Sequence, residues 1–71
     1  MNRYLIIIEK TGTGFSAYSP DLIGCAATGT TRDEVESEMQ SAIEFHLDGI
    51  RETGEPIPEP ASEAAYCEAS V

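Results

Sequence analysis

The sequence predicts a small α+β fold in the order β-β-β-α-β, with one long helix lying on one face of a sheet of order 3-2-1-4. Three observations predict it. Short β-rich segments alternate with glycine and proline turns in the first thirty residues, one long amphipathic stretch follows with clear start and stop signals, and the 71-residue length allows a single domain over 1–71. A domain of this size buries only ~60% of the surface its unfolded chain exposes, so association would stabilise it.

Strand one is expected over 3–10, RYLIIIEK, a run rich in β-branched and aromatic side chains. Tyr4, Ile6 and Ile8 alternate with Leu5 and Ile7, so both faces are apolar, as in a central strand. The glycines of TGTG at 11–14 reverse the chain into strand two over 14–19. Pro20 and Gly24 bracket the next loop, and CAATG at 25–29 forms strand three. Its small side chains suit the close approach of another element.

The helix is expected over 32–53. Thr31 and Glu34 make a T-x-x-E capping box, Asp33 and Glu34 favour the N-terminal end of the helix dipole, and Gly54 with Pro56 stops the helix. At 100° per residue, Val35, Met39, Ala42, Ile43, His46, Leu47 and Ile50 share one sector, the core face. Asp33, Glu34, Glu44, Asp48 and Glu52 share another, an acidic ridge. EPIPEP at 55–60 is a proline-rich extended spacer, and residues 64–69 are expected to form a short fourth strand beside strand one. One helix cannot cover both sheet faces, so an apolar sheet face is left for a partner or a second copy.

Charge narrows the function. The net charge is −9, and it is divided unevenly: residues 1–32 carry three cations against two acids, whereas residues 33–71 carry eleven acids against Arg51 alone. Such a chain is repelled by phosphate backbones and suits a basic protein partner. No run approaches the ~18 apolar residues of a membrane helix, and no signal peptide is evident, so a cytoplasmic location is expected.

Catalytic readings are weak. His46 is the one histidine and lies on the apolar stripe with no nucleophile and orienting group supplied, which fits a core or interface histidine. Cys25 and Cys67 lack metal-ligand spacing and fit reduced thiols; no cation adjoins Cys25 to activate it. Glu9 and Asp21 are a conceivable metal-binding pair for a minimal nuclease, but they are two isolated acids among thirteen. The TGTG turn lacks the lysine and following helix of a phosphate-binding loop. No catalytic residue, cofactor or metal is therefore expected.

The run from Phe15 to Ile50, FSAYSPDLIGCAATGTTRDE and then AIEFHLDGI, followed by GEPIPEP, resembles the HicB-like antitoxin family over nearly the whole chain. The resemblance implies a partial RNase H-like fold without nuclease activity, usually oligomeric as a dimer or tetramer. It also implies a partner, a small basic HicA-like mRNA-cleaving toxin that the antitoxin neutralises by masking. Ile23 stands where the family's loop commonly has a second proline, which should loosen the loop. Many members carry a C-terminal DNA-binding domain, and none is expected here, nor direct nucleic-acid binding. Tyr18, Asp21, Glu44 and Asp48 are the candidate partner contacts. The alternative reading is an orphan homo-oligomeric scaffold or regulator without a toxin.

Overall fold

The computed structural model describes residues 2–71. Three strands, β1 (Ile7–Lys10), β2 (Phe15–Tyr18) and β3 (Ala26–Gly29), precede one helix, α1 (Arg32–Thr53). The strands form an antiparallel sheet in the order β1-β2-β3. The β1–β2 turn closes with the Thr11 N–H donating to the Gly14 carbonyl at 2.8 Å.

Two features of the local chemistry set the helix ends. The Thr31 hydroxyl accepts from the Glu34 N–H at 3.1 Å, which satisfies one orphan donor of the first turn, and the Glu34 carboxylate reaches back to the Thr30 N–H (3.0 Å) and hydroxyl (3.1 Å) just before the cap. At the other end Gly54 takes φ 77°, a left-handed conformation that a Cβ disfavours, and donates to the Arg51 carbonyl.

The helix lays its apolar stripe chiefly over β3 and β2 and touches β1 lightly. Val35 and Met39 are fully buried there, together with Ala17, Leu22 and Cys25. Tyr4, Ile6, Ile8, Phe15, Ala27, Ala42, Ile43 and Leu47 pack around this centre. The close approach depends on Gly29, where a Cβ would lie 2.6 Å from the Val35 nitrogen.

The sheet departs from expectation at its first edge. The expected fourth strand over 64–69 is not formed, and β1 is an edge strand where the order 3-2-1-4 makes it central. The cause lies in how the tail is tied. The Tyr4 hydroxyl donates to the Pro58 carbonyl, and Asp21 grips Ala61 and Ser62, so the proline segment is pinned at its end and residues 62–64 border residues 3–6 across a crevice. Beyond that point Tyr66 is fully exposed and the neighbouring alanines offer little area to bury, so no ladder is enforced.

Strand one is also shorter than the expected 3–10. The ladder pairs Ile7 with Tyr18, and continuing the register sets Leu5 opposite Pro20, which has no N–H to give. The backbone continues alongside nevertheless, with the Ser19 hydroxyl donating to the Leu5 carbonyl at 2.9 Å. Strand two is one residue shorter at each end than the expected 14–19, and strand three begins one residue late, at Ala26, and ends at Gly29 as expected. No helix among the described residues is long and apolar enough to cross a membrane.

Candidate functional site

The helix presents its acids on the side turned from the sheet. Glu44 and Asp48, one turn apart, flank Leu47 and Arg51 around a shallow notch. The Glu44 carboxylate accepts from the Gln40 side chain at 3.0 Å, and Asp48 accepts from the Arg51 guanidinium at 2.7 Å. Both Asp48 and Arg51 remain exposed, so this pair adds little stability and leaves the carboxylate open to a competing cation. Glu34, counted as part of the ridge from spacing alone, is spent on the helix cap.

Phe45 lies beside this ridge at 83% exposure. At 100° per residue it falls outside the core sector, among Glu38, Asp48 and Glu52. A large aromatic set among carboxylates on a solvated helix flank supplies the apolar anchor that an otherwise polar contact needs. Phe45 is not among the expected contacts, and its angle off the apolar stripe is the sequence signal that marks it.

The second surface is the open face of the sheet. Because Tyr4, Ile6 and Ile8 pack inward, Leu5 and Ile7 point away from the helix, and the register sets Ile7, Tyr18 and Ala26 in a row across all three strands. Tyr18 is 45% exposed in that row. Ile23, at the tip of the loop between β2 and β3, is 93% exposed, a second apolar position not anticipated as a contact.

The four candidate contact residues therefore do not form one site. Glu44 and Asp48 share the helix notch and Tyr18 lies on the opposite side of the molecule. Asp21 is engaged within the chain: its carboxylate accepts from the Ser62 N–H (3.0 Å), the Ala61 N–H (3.1 Å) and the Ser62 hydroxyl (2.9 Å). Those donors, the Ser62 N–H foremost, hold its carboxyl below the ordinary aspartate value.

Of the conceivable metal-binding pair, Asp21 has both oxygens accepting hydrogen bonds from the tail, and Glu9 lies exposed near the end of β1. Among the described residues no three His, Cys, Asp or Glu side chains converge to hold a metal. His46 is half-buried along the helix stripe. Both thiols are free, and burial pushes the Cys25 thiol up, away from the reactive thiolate.

Residues 4–70 match the sequence pattern of the HicB_like antitoxin of bacterial toxin-antitoxin systems. An uncharacterized 14.9 kDa protein of Haemophilus phage HP1 is 38% identical over 55 residues, which are 78% of this chain and 41% of that protein, so the chain spans under half of that relative. A UPF0150 protein of Synechocystis is 30% identical over 57 residues, 79% of this chain and 72% of its own. A chain of the solved HicA3 and HicB3 toxin-antitoxin complex superposes with a TM-score of 0.72 at 33% identity, covering 84% of this chain and 70% of that one.

Proposed function

Because this chain belongs to the HicB-like antitoxin family, we propose that it neutralises a small, basic, HicA-like mRNA-cleaving toxin by docking onto it and masking it. The observation that carries this reading is the acidic flank of α1, where Glu44 and Asp48 stand together beside the exposed Phe45. A basic protein is drawn to that flank at long range, and the aromatic ring gives it something to close upon. The superposable chain in the HicA3 and HicB3 complex supports the same choice of partner class.

On this reading the chain works in the cytoplasm as one binding domain without catalytic groups of its own, and its strands and helix are part of an RNase H-like fold. Its task is steric and electrostatic. A second copy covers the open sheet face, where Leu5, Ile7 and Tyr18 leave apolar area facing water. That uncovered row also keeps a homo-oligomeric scaffold without a toxin in view as the second reading.

Co-expression with a HicA-like toxin, followed by affinity capture and an RNA-cleavage assay, tests the proposal. The wild-type chain should co-purify with the toxin and suppress cleavage. Glu44→Lys with Asp48→Lys should weaken capture by at least about tenfold, since it replaces attraction with repulsion at close range. Unimpaired capture by that variant would remove the helix flank from the interface, and failure of the wild-type chain to bind would leave the scaffold reading.

A further inference from the structure

We propose that the cleft at the end of β1, between the sheet and the start of α1, binds a small amphipathic anion, a flat apolar body carrying one carboxylate or phosphate group. The cleft has a volume of about 420 Å³ and is lined by Ile6, Ile8, Lys10, Phe15, Arg32 and Tyr66. That volume falls within the ~300–1,000 Å³ of small-molecule sites, and the lining joins an apolar floor to two convergent cations.

Strand geometry brings these parts together. Side chains alternate along β1, so Lys10 shares the helix side of the sheet with Ile6 and Ile8, and the register sets it opposite Phe15 on β2. The helix lies over β3 and β2 and touches β1 lightly, which leaves Ile6, Ile8 and Phe15 only half-buried. Arg32, the first residue of α1, enters from the helix side. Tyr66 stands at the rim, four residues beyond the Ser62 that Asp21 holds, and at 101% exposure its ring is free to fold over a bound molecule.

Charge identifies the head of the ligand. The chain has four cations against thirteen acids, yet two of the four meet in this cleft. Lys10 makes no ion pair among the described residues, and Arg32 meets only Glu36, at 3.5 Å in an exposed pair that binds it weakly. Glu34, next along the first turn, is turned to Thr30, and Glu9 alternates to the far side of the sheet. An inward-pointing cation on an outer strand also discourages stray strand pairing, but that role asks nothing of a second cation brought from another element. The same balance limits the size of the ligand. A phosphate polymer reaching past the cleft would meet the acidic surface, whereas a single anion stays between Lys10 and Arg32.

The apolar residues identify the body. A flat ring laid on Ile6, Ile8 and Phe15 would gain an aromatic neighbour in Phe15 and a second in Tyr66, in the offset or edge-to-face contacts that aromatic pairs favour. Lys10 and Arg32 would then hold the anionic head by charge-assisted hydrogen bonds. The cleft lies at the first turn of α1, and the Glu44 and Asp48 flank lies roughly three to four turns further on, so the site stands apart from the antitoxin reading.

Titration of the intact chain with naphthoate, naphthyl phosphate and uncharged naphthol tests the proposal, followed by residue-resolved NMR at about 0.15 M salt, where charges more than ~8 Å apart are largely screened. Both anions should bind saturably, with shifts centred on Ile8, Lys10, Phe15, Arg32 and Tyr66, and the tighter of the two identifies the head group. Naphthol should bind about tenfold more weakly. Lys10→Gln and Arg32→Gln should each weaken anion binding about tenfold and Tyr66→Ala about threefold. Glu36→Gln should tighten binding, because it releases Arg32, while Arg51→Gln, which removes an equal charge far from the cleft, should leave it unchanged. Circular dichroism confirms that the variants keep their helix. No saturable shift at the cleft with either anion overturns the inference, as does equal binding of naphthol, or a loss in Arg51→Gln that matches the loss in Arg32→Gln. Each of those failures leaves toxin capture, and with it the antitoxin reading, intact.

Discussion

Asp21 shows how far a residue's neighbours in space can diverge from those in sequence. In the loop P-D-L-I-G it looks like a solvent-facing contact, yet forty positions later Ala61 and Ser62 bring three donors to its carboxylate. Nothing local announces that meeting. Its carboxyl is lowered in the folded chain, so tail attachment is fully present above the ordinary aspartate value near ~4 and is lost as pH falls through the lower folded-state value. Protection of the Ala61 and Ser62 amides, taken relative to free-amide exchange at each pH, should therefore fall in that acid window, and Asp21→Asn should show the low protection already at neutral pH. Unchanged exchange in the variant would mean that the tail is held by Tyr4 and the prolines alone. The opposite case is Phe45, whose exposure is legible from its helical angle alone.

At the scale of elements, the helix was the most legible part of the chain because every signal that makes it is local. The cap, the apolar stripe and the terminal glycine lie within one continuous stretch, and each acts on its own neighbours. Thr31→Ala should cost about 1 kcal/mol of stability, measured by urea denaturation, because the Glu34 N–H loses its acceptor. The β3–α1 contact offers a sharper test. Gly29→Ala would drive a methyl into the backbone at Val35, and since neither the strand nor the capped first turn can easily move, a loss of roughly 1–3 kcal/mol is expected. A neutral Gly29→Ala would show that the two elements slide. The fourth strand was not legible in the same way: β pairing is decided by what lies opposite, and the composition of residues 64–69 carries no information about the pinning of Ala61 and Ser62 that directs the tail.

The whole molecule is longer than a compact chain of its size. Its radius of gyration is 13.9 Å, against about 11 Å for a compact chain of this length, and its extents are 48 × 27 × 19 Å. One sheet with one helix makes a two-layer plate whose outer sheet side is uncovered among the described residues. Charge is divided along the same lines, with a nearly balanced sheet half and a helix-and-tail half that holds eleven of the thirteen acids. Association with a basic partner should therefore slow steeply with salt, as the screening length falls from ~10 Å at 0.1 M to ~3 Å at 1 M, while dissociation changes little. Stopped-flow mixing at both ionic strengths would measure this, and an association rate insensitive to salt would remove the helix flank from the encounter. The two sulfurs add a practical consequence. Cys67 stands in water on the tail and Cys25 is sealed in the core at 5% exposure. A thiol reagent added to the native protein should consume one equivalent at once and the second only as fast as the fold opens, so a single trace records the open tail and global unfolding on separate clocks.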